Sequence, residues 1–291
     1  MNANPLFSVL IANYNNGKYL MEAINSVYAQ TYTNWEIILV DDASTDNSKE
    51  IYKELEKDTR IHIFYNDENH GCGYTKRRCA ELANGELCGF LDPDDALLPK
   101  ALEAHVKIHI QYCEVSCVFS RYYNCDKDMN IISELRLLTL NAGTTYFTSR
   151  NYMPEHFASF KKILYNLTEG IASDIKFGVD QDLYFKMEET GSVFVLNEFT
   201  YKYRIHYSNI SYIKREEALY WNLIVRHRTC IRRNINPSEY SVQDFVNYCK
   251  YKYDIGEKEG EVNVIKSLTY RVGHFFLFPF KFLKTKKISK L

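Results

Sequence analysis

The sequence predicts an α/β protein with a doubly wound, mainly parallel sheet flanked by helices, and three observations carry that expectation. Strand and helix patterns alternate four times before residue 100, a rhythm that joins parallel strands through right-handed crossovers. The first two strands read as continuous apolar runs rich in β-branched residues, as strands covered on both faces do, and the third alternates. Hydrophobic residues make up 46% and charged residues 25% of 291 positions, enough chain for one large α/β domain with a smaller appendage.

Phe7–Ala12 is the first such run, and a helix is expected from Tyr19 to Gln30 with Leu20, Ala23, Ile24 and Val27 on one face. Trp35–Val40 repeats the strand pattern and ends in Asp41-Asp42, after which Ser44, Thr45 and Asp46 supply helix-start chemistry. Arg60–Tyr65 reads as a third strand, Thr75–Ala83 as a helix stopped by Asn84-Gly85, and Glu86–Leu91 as a fourth strand. Further on, the patterns predict a helix over Leu98–Tyr112, a strand over Val115–Ser120, a basic helix over Phe157–Tyr165, a helix over Asp180–Glu189 and extended chain over Ser192–Arg204. Residues 131–150 carry no firm pattern. From Glu216 onward the pattern is helical, which places a boundary near Lys214 between a sheet domain, 1–214, and a helical C-terminal region, 215–291.

The net charge of −1 gives no global field for nucleic acid. Eight cysteines without a C-x-x-C pair read as reduced, cytosolic thiols. The run Leu6–Ala12 is short and lacks a basic lead, so it is not read as a signal peptide, and no stretch is long enough to span a bilayer as a helix. After Glu261 only basic residues remain among the charged ones, and Phe275–Leu283 is aromatic and apolar before a Lys-Thr-Lys-Lys cluster. That tail has the composition of an interfacial segment beside an anionic membrane. Packing on the preceding domain is the other reading.

The chemistry concentrates in Phe90-Leu-Asp-Pro-Asp-Asp95, where an apolar strand runs into three carboxylates, Asp92, Asp94 and Asp95, set around Pro93. Open α/β sheets bind ligands at that carboxyl edge. Mg²⁺ or Mn²⁺ takes one or two protein carboxylates and fills its shell with water and substrate phosphates, so the cluster points to a bound diphosphate. A helix cap at Asp94 or Asp95 is the alternative. The first strand-helix turn holds only Gly17, and no Walker loop is present, so metal and side chains would have to grip the phosphates. Ala12, Asn13, Tyr14 and Asn15 reach the same crevice as Asp41 and Asp42: Tyr14 is placed to stack on a base and Asp42 to accept from its N–H groups. Turn chemistry explains Asn15 and Asp46 equally well.

Ser8–Asn16, Val40–Asp46, Asn69–Ala83, Phe90–Asp95 and Val179–Leu183 occur in the order and spacing of the family 2 glycosyltransferases, and the chain resembles that family over about two-thirds of its length. The resemblance implies a GT-A fold, with nucleotide-sugar binding in 1–100 and the acceptor side in 101–214. It implies an inverting transfer of a hexosyl or N-acetylhexosaminyl group from a nucleoside-diphosphate sugar, a UDP-sugar first, to a glycan or lipid-linked acceptor. Ala12, Tyr14 and Asp42 match the nucleotide pocket. Lys76 stands where the family carries an arginine, in Thr75-Lys76-Arg77, and a lysine keeps the charge but loses the bidentate fork. Asp92 and Asp94 match the D-x-D motif, with Asp94 as direct ligand of Mn²⁺ or Mg²⁺ and Asp92 on ribose or metal. Asp180 matches the general base, although Val179 replaces the family's preceding glutamate; Asp182 is the rival two positions on, and an N-cap role the bland reading of Asp180. His206 matches a segment that folds over the donor and is a further candidate metal ligand. Ser159, Lys161 and Lys162 line either the acceptor side or a solvated helix face. The implied location is cytoplasmic, at the inner face of the membrane. A non-catalytic donor-binding or scaffold protein, or a sugar-nucleotide nucleotidyltransferase, are the alternatives.

Overall fold

The computed structural model describes residues 2–134, 145–148, 156–206 and 214–237. Its elements are β1 (Phe7–Asn13), α1 (Gly17–Tyr28), β2 (Trp35–Asp41), α2 (Ser48–Leu55), β3 (Ile61–Tyr65), α3 (Cys72–Leu82), β4 (Leu87–Phe90), β5 (Ala96–Leu97) and α4 (Ala101–Gln111). There follow β6 (Val115–Cys125), β7 (Ile131–Glu134), β8 (Ala158–Lys161), α5 (Lys162–Tyr165), α6 (Val179–Glu188), β9 (Ser192–Arg204) and α7 (Arg215–Arg232).

One sheet runs in the order β3-β2-β1-β4-β8-β6-β9-β5, with β7 paired to β6. Strands β1 to β4 are mutually parallel. β8 is antiparallel to both β4 and β6, and β9 returns parallel to β6. The carboxyl ends of β1, β2, β4 and β9 therefore lie along one edge of the sheet. Each of those strands ends in polar sequence, so chemistry from four separate segments is delivered to one place.

Both β1 and β2 are buried along their length apart from half-buried Ala12. Their side chains join Leu20, Ala23, Ile24 and Val27 of α1 in a core that also takes Tyr52, Leu87, Leu102, Phe157 and Tyr201. Each large apolar side chain fully removed from water there contributes about 1.5–3 kcal/mol.

The basic helix expected over Phe157–Tyr165 is instead strand β8 and a single turn, α5. All four β8 residues are buried because β4 and β6 flank the strand within the sheet and helices cover its faces. Its polar groups are consumed internally. Ser159 Oγ lies 2.8 Å from His105 Nδ1 and 2.9 Å from His109 Nε2, and Lys161 donates to the carbonyls of Tyr112 and Cys113 at 3.0 and 2.7 Å. Lys162 donates to the carbonyls of Ala80 and Glu81. These residues hold the sheet together; they neither line a cleft nor form a solvated face.

The chain forms two compact units, Met1–Arg233 and Asn234–Leu291. α7 thus lies in the unit that holds the sheet, past the expected boundary at Lys214, and is clasped by ion pairs from Arg228 to Asp174 at 2.6 Å and from Arg232 to Glu189 at 2.6 Å. The aromatic and basic tail, Phe275–Leu283 and beyond, lies outside the described residues. No helix among the described residues is long and apolar enough to cross a membrane.

Candidate active site

The crevice begins where β1 and β2 end. Asn15 adopts a left-handed backbone, φ 54°, which Asn tolerates better than most residues, and its Oδ1 accepts from Thr45 N at 2.7 Å. Asp46 returns the contact, accepting from Gly17 N at 2.8 Å. These crossed bonds fix the two loops to each other. At their mouth Tyr14 is exposed, with 45% of its surface open, beside Ala12 on the last turn of β1.

Asp42 is buried, and its carboxylate accepts from Asn66 Nδ2 at 2.6 Å, His70 N at 3.0 Å and Gly71 N at 2.8 Å. It is therefore the anchor of the loop that launches α3. Gly71 has φ 89°, a conformation glycine adopts at no steric cost, and this turn presents its N–H to Asp42. The next helix then brings Lys76 under the cleft.

The D-x-D loop leaves β4 and is pinned from β9. Asp95 is buried and accepts from Arg204 N and from Tyr201 Oη, both at 2.7 Å. Burial, followed by the charges of Asp94 and Asp92, pushes its carboxyl well above the usual carboxylate range. The buried Arg204 guanidinium donates to the carbonyls of Asp94 and Lys127, each at 2.6 Å, and to Glu22 of α1 at 2.5 Å. Asp94 points the other way, its Oδ2 2.9 Å from His206 Nε2. Burial opposes the charge on Asp92, yet Lys76 and His156 hold its carboxyl below the ordinary value.

Lys76 is 6% exposed, and its Nζ sits 2.8 Å from Asp180 and 3.1 Å from Asp92. Burial works against the ammonium, but Asp180 and then Asp92 outweigh it and raise its pKa well above the usual lysine value. Arg77, one residue on, does not take the place of the family's arginine: it donates to Glu81 and to the carbonyls of Glu169 and Ile171.

α6 starts at Gly178, φ 70°, where a Cβ would collide with Asn222. Asp180 is thus the second residue of the helix, and no side-chain cap bond forms there. It is part-exposed toward the cleft, whereas Asp182 is 1% exposed and accepts from Lys186 Nζ at 2.8 Å and Ala172 N at 2.9 Å. The two positions, about 200° apart around the helix, face different surroundings.

The donor chemistry suits a hard divalent cation, since carboxylate oxygens predominate. Oxygens of Asp92 and Asp95 and a ring nitrogen of His156 lie within 4.8 Å of one another. Asp95 is also held by Tyr201 and Arg204, while Asp94 lies outside this group, against His206. Sequence reasoning missed His156, Arg204 and the structural role of Asp95. His156 stacks on Tyr203 at 4.3 Å and reaches the site only through tertiary packing, which leaves no local signal.

The family described as Glycosyl transferase family 2 matches residues 8–172. Chondroitin synthase of Escherichia coli is 30% identical over 256 residues, which is 86% of this chain and 36% of that protein; the chain spans about a third of the length of that curated relative. Among solved structures, S. aureus TarS 1–349 in complex with UDP-GlcNAc superposes with a TM-score of 0.65 at 17% identity, covering 90% of this chain and 79% of TarS 1–349. The mannosyltransferase PcManGT from Pyrobaculum calidifontis, in complex with GDP-Man and Mn²⁺, gives 0.60 at 14% identity, covering 98% and 84%. At such identities the likeness shows the fold, which is GT-A. With more than half of its length matched by the family, the chain belongs to glycosyltransferase family 2.

Proposed function

We propose that this domain is an inverting, metal-dependent glycosyltransferase of polysaccharide synthesis, moving a sugar from a nucleoside-diphosphate sugar to a hydroxyl of a glycan or lipid-linked glycan. The observation that carries the reading is the meeting of Asp92, from the β4 exit, and Asp180, from the start of α6, on one buried lysine at the carboxyl edge of the sheet. Supporting it, the E. coli relative is a chondroitin synthase, and the two structural neighbours hold UDP-GlcNAc and GDP-Man. A UDP-sugar is the first donor to test.

The roles follow from placement. Tyr14 stacks on the base and Ala12 lines its pocket, while Asp42 accepts from the base and keeps its loop in place. Asp180 takes the acceptor hydroxyl proton. The freed oxygen then bonds to the anomeric carbon while the bond to the diphosphate oxygen breaks, its electron pair leaving with the diphosphate. A single displacement of this kind inverts the anomeric centre. Asp92 and Asp94 would hold a divalent cation, which would supply positive charge to the leaving diphosphate, and Lys76 adds its own to the same face. His206 orients Asp94. The basic, aromatic tail would hold the domain against the cytoplasmic face of an anionic membrane.

The test is a thermal-shift panel of nucleotide sugars with and without Mn²⁺, because a ligand of the native state raises stability by mass action. Metal-dependent stabilisation by one donor is expected, followed by its hydrolysis when no acceptor is present. Binding without any turnover would leave a donor-binding protein instead of an enzyme.

A further inference from the structure

Lys76 is the point at which the two halves of this site touch. Its ammonium is buried, 5.1 Å from the Phe90 ring centroid, and it contacts one oxygen of Asp92 and one of Asp180. Asp92 belongs to the metal side, and Asp180 reaches the cleft from a separate helix, 88 positions later in the chain. Arg77 is turned toward Glu81 and residues 169–171, so the next residue of α3 does not share the load. A lysine is a compact point charge, where the family's arginine would spread five donors over a plane. Both carboxylates therefore draw on one point charge, and whatever moves it from one alters its hold on the other.

We infer that Lys76 is a positioning residue that couples metal occupancy at Asp92 to the aim of Asp180, and this rests on the transferase reading above. Before a divalent ion is bound, the ammonium supplies the positive charge between the two carboxylates and holds Asp180 toward Asp92. A divalent ion at Asp92 repels the ammonium and competes for the same oxygen, so Lys76 shifts to Asp180 and to the donor phosphates. Metal and lysine thus oppose each other at Asp92, and Asp180 gains its full share of the lysine only once the ion has arrived. The base is aligned when the metal site is filled.

The test measures Mn²⁺ binding to the full chain without nucleotide, then transfer with the donor found above. Lys76→Gln should bind Mn²⁺ about tenfold more tightly, because a neighbouring positive charge is gone. Its kcat should fall by about 10- to 100-fold, less than removal of the base itself, because the base is present but unaimed. Donor affinity should change less than kcat, and Lys76→Arg should restore most of kcat. Asp180→Asn gives a second reading that does not depend on Lys76 variants folding: with its other anchor neutralised, Lys76 falls back on Asp92, and Mn²⁺ binding should weaken about threefold or more. Unchanged or weaker Mn²⁺ binding by Lys76→Gln, or a loss of donor affinity with kcat intact, would reduce Lys76 to a plain phosphate contact. If the wild-type chain neither binds a nucleotide sugar with Mn²⁺ nor turns one over, the transferase reading falls, and the coupling with it.

Discussion

Asp180 and Asp182 stand two positions apart on α6 and do opposite work. Asp180 meets Lys76 at 2.8 Å at the cleft, while Asp182 is sealed beneath the helix on Lys186 and the Ala172 amide. Asp180→Asn should therefore leave folding and donor affinity near normal and lower transfer by about two to four orders of magnitude, the usual contribution of a positioned base. Steady-state kinetics beside a urea melt check both halves.

Asp182→Ala should show the reverse pattern. It strands the ammonium of Lys186, 4% exposed, with only the Gly170 carbonyl at 2.7 Å, and breaking a buried pair from one side costs about 3–5 kcal/mol. Urea unfolding should show that loss, with the residual folded fraction still active. Full stability together with lost turnover would exchange the assigned roles of the two aspartates.

Arg204 ties the D-x-D loop to the rest of the domain. Arg204→Met keeps the apolar stem and removes the donors to Asp94, Lys127 and Glu22. Unfolding free energy should drop by about 1–2 kcal/mol, since only the guanidinium is buried and water can reach the acceptors it leaves, and Mn²⁺ affinity should fall because Asp94 is no longer held. Calorimetry of Mn²⁺ binding at a temperature where the variant remains folded separates the two effects; unchanged affinity would detach Arg204 from the metal side.

The pair His105 and His109 gives the fold an acid limit. Burial pushes both imidazoles down to about 3, His109 further opposed by His105 and Lys161. Ser159 Oγ lies within hydrogen-bond reach of both rings, and burial keeps both neutral. In the unfolded chain each would take a proton below about pH 6.5. The unfolded state then binds more protons than the native one, and stability falls as pH drops from about 6.5 toward 3, by up to about 1.4 kcal/mol per pH unit for each histidine. Below that window the contribution is gone. Urea midpoints at pH 7, 6 and 5 should decline, and the decline should flatten in the double variant His105→Gln, His109→Gln. A midpoint independent of pH in the wild type would contradict this account.

Much of this was legible because the information is local. The double-sided burial of β1 and β2 is written in their β-branched apolar runs and that of β4 in the apolar stretch Leu87–Leu91, and their ends match the structure to within a residue or so. Asp92 and Asp180, which the family resemblance singles out in short segments, meet on Lys76. β8 was misread because a strand packed on both faces shows no alternation, and Lys161 with the following Lys162 suggested a wet helix; their amines are in fact spent on backbone carbonyls. Arg204 and His156 gave no signal, since their meaning comes from partners far off in sequence: Arg204 reaches Glu22 across 182 positions. Asp95 read as one of three clustered carboxylates, with a helix cap as the alternative, whereas β9 uses it as an anchor.

The most direct measurement is a calorimetric titration of UDP-GlcNAc into the chain with and without Mn²⁺, repeated on the double variant Asp92→Asn, Asp94→Asn. These two carboxylates are the proposed hold on ion and diphosphate together. The wild-type protein should bind the donor in a metal-dependent manner, and the double variant, folded by circular dichroism, should lose metal-dependent binding entirely. Equal, metal-dependent affinity in both proteins would remove Asp92 and Asp94 from the site and overturn the account of how this domain holds its donor.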